Sequence, residues 1–201
     1  MASTSSPYGL KLNTQGGGVP RGVRKSWILT TNTATGFFEG DILNMASGVL
    51  IPSAATPTTT LNTASPWAIF DGCEYFTAQG KQFSNTFPAA GYTAYASYGT
   101  IRLFGYDDPA IEFRVQADGV VTQGKLGLNA QLATFSSGNT TTGKSGITLI
   151  ASSAATTNTF GVKIIDFIST TGTGSGASEA FTECVCVWNA NVHQYRNILG
   201  A

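Results

Sequence analysis

From residue 26 onward, short apolar and β-branched runs alternate with clusters of turn-forming residues. This spacing is typical of β-sandwiches and β-barrels. The predicted strands are 27–31, 41–45, 49–52, 68–76, 82–87, 101–106, 111–117, 146–150, 161–168 and 181–193. The pattern therefore predicts an all-β fold, with a barrel and a sandwich as the two alternatives.

One predicted strand shows a particularly clear alternation. Phe113, Val115 and Ala117 lie on one face, while Arg114 and Gln116 lie on the other. Successive side chains of a strand point to opposite faces of the sheet. We therefore expect one face of this strand to meet the core and the other to meet solvent.

The last predicted strand, near the C-terminus, carries apolar side chains on both faces. Cys184, Cys186 and Trp188 share one face, and Val185 and Val187 contribute to the other. A strand with both faces apolar is usually buried on both sides. We interpret it as a central strand of a sheet.

Polar low-complexity stretches separate many of the strands. They are rich in Ser, Thr, Gly and Asn, which favours loops over core structure. The predicted loops are 54–63, 135–144, 151–159 and 170–178. Residues 124–132 offer the best place for a short turn or helix, because Leu126, Leu128 and Leu132 could support one, although strand alternation fits the first two equally well.

Residues 1–25 have a different composition from the rest. Pro7, the three glycines at 16–18, Pro20 and Gly22 disfavour both helix and regular strand. We predict an extended N-terminal arm over 1–25 and a β domain over 26–201.

The arm is also basic. It contains four of the eleven basic residues and no acidic one. It is either a solvated tail or a segment that becomes ordered on an acidic neighbouring subunit. The candidate binding residues are Lys11, Arg21, Arg24 and Lys25.

Composition narrows the classes of partner. Basic and acidic residues are balanced at 11 each, which disfavours nucleic-acid or anionic-membrane binding and favours protein partners. Charged residues make up 11% of the chain, against about 25% in typical proteins. No apolar run is long enough to span a bilayer and no secretory signal opens the chain, so we expect a soluble product made in a cytoplasm.

The sequence contains few residues that could bind a metal ion or act as a nucleophile. Cys73, Cys184 and Cys186 are odd in number and lack CxxC spacing, which predicts reduced thiols rather than disulfides or a zinc site. His193 is the one histidine, which excludes a two-histidine metal site. It is the single candidate for the base of a catalytic triad, although we expect it to be a polar residue at a strand end.

Two further patterns resemble catalytic motifs in letters only. Residues 138–145 satisfy the phosphate-loop pattern up to Lys144 and Ser145, yet a strand is predicted after them where that motif needs a helix. Asp107 and Asp108 with Glu112 could form a carboxylate pair for glycoside hydrolysis. Because Pro109 follows the two aspartates, we predict a turn there instead.

Three tyrosines spaced three residues apart form the remaining candidate site. Tyr92, Tyr95 and Tyr98 could stack sugars, or they could pack under a loop or at a subunit contact. Packing is the commoner use of such residues. No catalytic residue, cofactor, metal or small-molecule substrate is predicted.

The order of segments along the chain is itself distinctive and covers nearly its whole length. The segments are Pro7-Tyr8-Gly9-Leu10, Gly40-Asp41, Phe70-Asp71-Gly72-Cys73-Glu74-Tyr75, Phe83, Phe87-Pro88-Ala89, Asp107-Asp108-Pro109, Phe113-Arg114-Val115-Gln116-Ala117-Asp118, Gly127-Leu128-Asn129-Ala130, the loop 138–146 and His193-Gln194-Tyr195-Arg196. This order resembles a family of structural proteins of cyanophages and other marine tailed phages.

The resemblance implies a non-enzymatic virion component. It is similar to the cement, or decoration, proteins that bind the outer face of an icosahedral shell and tie neighbouring major capsid subunits together. We expect a homo-oligomer, with a trimer at local threefold positions favoured because a closed cyclic assembly matches lattice symmetry. The alternative is a receptor- or carbohydrate-binding module of a phage tail fibre.

Overall fold

The computed structural model of the chain describes residues 5–13, 23–33, 35–46, 49–52, 67–133, 138–168, 180–189 and 192–193. Within these ranges the fold is all-β, as predicted. One short helix, α1 (Gly91–Tyr95), and two 3-10 turns, Gln123–Lys125 and Ala151–Ser153, interrupt the strands. The strands are β1 (Lys11–Leu12), β2 (Arg24–Ile28), β3 (Phe37–Phe38), β4 (Ile42–Ala46), β5 (Val49–Pro52), β6 (Ala68–Thr77), β7 (Gly80–Ser84), β8 (Thr86–Phe87), β9 (Arg102–Tyr106), β10 (Glu112–Gln116), β11 (Asn129–Ala130), β12 (Leu132–Ala133), β13 (Gly138–Asn139), β14 (Lys144–Ser145), β15 (Thr148–Leu149), β16 (Val162–Ile168) and β17 (Glu183–Trp188).

Two antiparallel sheets organise the described part of the chain. The five-stranded sheet has the order β1-β10-β17-β16-β11. The six-stranded sheet has the order β2-β9-β6-β4-β5, with β7 also pairing with β6. Short two-stranded ladders join β12 to β15, β13 to β14 and β3 to β8. Both large sheets are open within the described residues, so no closed barrel is formed there.

The first core lies against one face of the five-stranded sheet. Phe113 and Val115 on β10 point into it, together with Cys184, Cys186 and Trp188 on β17. The rings of Phe113 and Trp188 lie 4.9 Å apart between centroids. The central position of β17 and the core-facing side chains of β10 are confirmed. The expectation that the other face of β10 meets solvent is wrong, because Gln116 is buried and Arg114 is half-buried there.

The six-stranded sheet contributes to two cores because it is apolar on both faces. Ile42 and Ile69 join the core of the five-stranded sheet. Their chain neighbours Leu43, Ala68 and Phe70 point the other way, into a second core that also includes residues of α1. The first core therefore lies between the two sheets, and the second lies on the far side of the six-stranded sheet.

A serine divides one predicted strand and shortens another. The predicted strand 82–87 is split into β7 and β8, where the Thr86 amide donates to Ser84 Oγ (3.1 Å). The predicted strand 146–150 is shortened to β15, and the Ile147 amide just before it donates to Ser145 Oγ (3.2 Å). In both places a serine hydroxyl accepts a hydrogen bond from the amide two residues ahead. This favours a turn over continued strand pairing.

One further predicted strand is too long, and the segment predicted as a turn or helix forms a turn. The predicted strand 181–193 ends at Trp188, because Asn189 Nδ2 donates to Asn158 O (3.0 Å) and Phe160 O (2.9 Å). In the segment 124–132, the predicted short turn is present as the 3-10 turn Gln123–Lys125, and β11 follows at Asn129–Ala130.

The prediction that 1–25 lacks regular strand is wrong where the segment is described. Lys11–Leu12 forms β1, and β2 begins at Arg24, so the boundary between residues 25 and 26 falls within a strand. Leu10 is buried in the first core and its amide donates to Gly40 O (3.0 Å). The glycine run at 16–18 lies outside the described residues, as do the predicted loops 54–63 and 170–178.

Candidate functional site

Strand β2 forms one edge of the six-stranded sheet and exposes part of its backbone. The Leu29 amide, just after β2, donates to Ile101 O (3.0 Å) across the ladder with β9. Hydrogen-bonded pairs alternate along antiparallel strands, so the amides and carbonyls of Arg24, Ser26 and Ile28 face away from β9. Among the described residues, no other strand pairs with that side of β2.

Side chains near this edge are also unusually exposed for apolar residues. Val23, directly before β2, is 77% exposed and Ile28 is 55% exposed. Proteins commonly protect an open edge with charges, proline or bulges. Here the charged residues are Arg24 and Lys25, at the start of the strand.

Both of these cations are engaged within the chain. Arg24 Nε lies 2.7 Å from Asp71 Oδ2, and the guanidinium lies 4.3 Å from the centroid of the Phe104 ring. Lys25 Nζ lies 2.8 Å from Asp107 Oδ2, whose side chain is only 4% exposed. The ion pairs neutralise the charges that would otherwise repel an approaching strand.

The two ion pairs should differ in their effect on stability. Replacing Lys25 with Met leaves a nearly buried carboxylate without its ammonium, and we expect a loss of about 1–2 kcal/mol, since Lys25 itself is half-exposed. Replacing Arg24 with Met breaks a pair that is open to solvent on both sides, so a loss of about 0.5 kcal/mol is expected. Urea denaturation of both variants measures this difference. Adding Asp107→Asn to Lys25→Met should restore part of the loss, and equal losses for the two single variants would contradict the assignment.

The four basic residues predicted to bind a shell therefore have different environments. Arg24 and Lys25 lie on β2, while the exposed Lys11 lies on β1 at the edge of the other sheet. Arg21 lies outside the described residues. Their contact with a capsid remains a prediction.

The tyrosine cluster is largely a packing element. The Tyr95 ring lies 4.6 Å from Tyr75 and 6.1 Å from Phe87, and Tyr92 packs against the same core. Tyr98 is 53% exposed. The spacing of three residues places the first two on α1, so they are not free to form a sugar-stacking platform.

The phosphate-loop letters belong to a β-hairpin. Asn139 Oδ1 accepts hydrogen bonds from the amides of Thr141 (2.9 Å) and Thr142 (3.1 Å), and the Gly143 amide donates to Asn139 O (2.7 Å). These amides are used inside the turn, and β15 rather than a helix follows. The segment therefore lacks the cradle of open amides that holds a nucleotide phosphate.

The paired aspartates form the predicted turn. Asp108 Oδ1 accepts the amide of Ala110 (2.8 Å), and the Ile111 amide donates to Asp108 O (3.2 Å). Glu112 is exposed and accepts a hydrogen bond from Asn13 Nδ2 (3.3 Å). The carboxylates thus have local structural partners.

The histidine and the three cysteines are buried. His193 is fully buried beyond the end of β17, with its ring 6.1 Å from that of Trp188. Cys73, Cys184 and Cys186 are free and buried. Burial raises the pKa of Cys73 and of Cys184 to about 12, and that of Cys186 well above its usual range. Such thiols stay protonated and poorly reactive.

Comparison of the chain with known proteins identifies no relative. The chain matches no protein-family model, no curated protein and no solved structure. Across the described ranges, no group of three or more His, Cys, Asp or Glu side chains could hold a metal ion. The same residues contain no helix that is long and apolar enough to cross a membrane. Function must therefore be inferred from the surface of this chain and from its segment order.

Proposed function

We propose that the chain is a non-enzymatic decoration protein of a tailed-phage capsid. It binds the outer surface of the icosahedral shell and bridges neighbouring major capsid subunits. The open edge of β2 carries the proposal, because outward-facing amides and carbonyls with exposed Val23 and Ile28 beside them suit an extended segment of another protein.

The placement of the N-terminal strands supports this role. β1 and β2 are edge strands, one in each large sheet, so the first described part of the chain lies on two sheet edges. A protein that spans a subunit boundary benefits from contacts at separate places, since weak contacts add through multivalency. Preferential binding to the assembled lattice would then stabilise the shell by mass action.

The candidate catalytic residues do not converge, which favours a structural role over an enzymatic one. His193 is buried beside Trp188, Glu112 is exposed on β10, and Lys144 forms an ion pair with Glu39. General acid–base catalysis needs such groups within hydrogen-bond reach of one substrate. The proposed assembly is a trimer on local threefold axes, where the rotational symmetry of protein and shell agree.

Binding to tail-free, undecorated heads of the parent phage tests the proposal. Ser26→Pro removes an amide that faces away from β9, a position where edge strands tolerate proline. We expect saturable co-sedimentation of the native protein with heads and a loss of affinity of about tenfold or more for Ser26→Pro, about 1.4 kcal/mol. Ser26→Ala keeps the amide and is the matched control, expected to bind like the native protein.

Two outcomes would reject this function. If Ser26→Pro is folded by near-ultraviolet circular dichroism and binds heads normally, the β2 edge is not the contact. If the native protein fails to bind heads and is found in tail fractions, the alternative of a receptor- or carbohydrate-binding fibre module replaces the proposal. In that case the exposed Tyr98 becomes the first residue to substitute.

A further inference from the structure

A polar cavity of about 310 Å³ lies on the face of the five-stranded sheet opposite the first core. Its position follows from strand alternation, because Arg114 and Glu183 lie between residues that point into that core. The cavity is lined by Tyr8, Leu10, Lys11, Glu39, Arg114, Lys144 and Glu183, although the Leu10 side chain itself points into the first core.

Two like charges face each other at this cavity. Lys11 on β1 is directly opposite Arg114 on β10 in the antiparallel ladder. Directly opposed side chains have Cβ atoms about 4.5–5.5 Å apart, and like charges there are destabilising. Neither residue forms an ion pair with another described residue. The two positive charges repel each other, and a bound anion would reduce this repulsion.

Arg114 has an additional unmet hydrogen-bonding capacity. Its Nε is buried and has no hydrogen-bond partner among the described residues. A guanidinium is a planar fork of donors that matches a carboxylate in a bidentate manner. A ligand carboxylate could accept hydrogen bonds from the other guanidinium nitrogens of Arg114 and so hold this side chain in place.

The remaining charged side chains of the lining set the net charge of the cavity and therefore the charge of the anion that would neutralise it. Lys144 Nζ forms an ion pair with Glu39, whose other oxygen accepts a hydrogen bond from Asn85 Nδ2 (3.4 Å). Glu183 is the second carboxylate of the lining. Three cations and two carboxylates leave one positive charge in excess, which a singly charged anion neutralises and a phosphate dianion exceeds.

The neutral lining suits the carbon part of such a ligand. Burial, together with the nearby Glu183 carboxylate, raises the pKa of Tyr8, so its hydroxyl remains protonated as a donor. The Tyr8 ring supplies carbon surface beside it. The volume lies at the lower end of small-molecule sites, about 300 Å³ and above.

We propose that this cavity binds the carboxylate of an organic ligand, with Lys11 and Arg114 as the anion-binding pair. The carboxylate is either that of a free small acid or that of an acidic side chain on a partner protein. Both present the same group, and the carbon skeleton next to it packs against Tyr8. The proposal does not depend on capsid binding.

Titration followed by NMR tests the proposal with four defined probes. These are 4-methylpentanoate, its uncharged amide, the blocked tripeptide acetyl-Ala-Glu-Ala-amide and the corresponding Gln tripeptide. We expect saturable shifts in the millimolar range from at least one carboxylate probe and none from its uncharged partner. Binding of 4-methylpentanoate indicates a free acid as the source, and binding of the tripeptide alone indicates an acidic side chain.

Substitutions then test the assigned residues. Lys11→Met, at an exposed position, and Arg114→Gln should each weaken binding about tenfold, whereas Glu183→Gln should tighten it by removing a like charge. Arg102→Gln on β9 is the matched control, because Arg102 is ion-paired with Glu74 in the other sheet. The proposal is overturned if no carboxylate probe saturates, if inorganic phosphate or the uncharged probes shift the same signals equally, or if Lys11→Met binds like the native protein.

Discussion

Alanine at Gly9 is expected to lower the free energy of unfolding by more than about 3 kcal/mol. Gly9 has a φ of +74°, a conformation that side chains with a Cβ rarely adopt. An added Cβ would lie 2.5 Å from Ser145 Cβ and 2.7 Å from Gly40 O, neither of which is the end of a flexible side chain. Backbone strain and steric overlap therefore act together at this position.

Gly127→Ala separates these two contributions. Gly127 has a similar φ of +82°, but an added Cβ would meet nothing within 4 Å. Its replacement should cost only the conformational strain, about 1–2 kcal/mol. Urea denaturation of both variants provides the measurement, and equal losses would show that the close approach of residue 9 to Gly40 and Ser145 contributes nothing.

A pronounced pH dependence of stability is expected from Asp41. Its side chain is buried, and its carboxylate accepts the Phe38 amide (2.8 Å). Burial raises the pKa of Asp41 from 3.8 to about 6, although hydrogen bonds from Ser145 and Phe38 oppose the shift. The native state therefore binds this proton more tightly than the unfolded state does.

The sign of the effect follows from proton linkage. Because the folded pKa lies above the unfolded value, the free energy of unfolding should fall as pH rises from 3.8 to about 6. The contribution of Asp41 over this window is about 3 kcal/mol. Asp41→Asn keeps an oxygen acceptor for Phe38 and should flatten the decline.

The comparison between native protein and Asp41→Asn isolates this group. Burial also raises the pKa of Asp71, which contributes in the same direction, so the total slope does not belong to Asp41 alone. Chemical denaturation at several pH values across the window gives the difference between the two proteins. Parallel curves for both would show that Asp41 does not titrate as described.

Sequence periodicity was most informative where a strand alternates over several residues. The faces of β10 and β17 were predictable because side chains of a strand repeat every two residues. Long-range pairing was not, since nothing local indicates that Lys11 lies opposite Arg114. Lys11 was predicted to lie in an arm without regular strand, so its position opposite Arg114 was not foreseen.

Short elements were missed for identifiable reasons. The helix α1 begins with Gly91, and the residue before it, Ala90, has a φ of 56°. Neither a side-chain cap nor an apolar stripe in the sequence therefore predicts this helix. Its tyrosines at positions 92 and 95 were recognised as a cluster, but their packing against Tyr75 depends on tertiary structure. Likewise, the partners of Arg24 and Lys25 are distant in sequence, so their availability to another protein could not be judged beforehand.

The buried cysteines give the chain built-in reporters of local opening. Cys73 belongs to the six-stranded sheet, and Cys184 and Cys186 belong to the five-stranded sheet. Because each thiol must reach solvent before an alkylating reagent can modify it, peptide-resolved alkylation rates follow the exposure of the two sheets separately. A cysteine added at the exposed Ser26 position would be alkylated far faster than the native three, so a fluorophore could be attached beside β2 without first removing them.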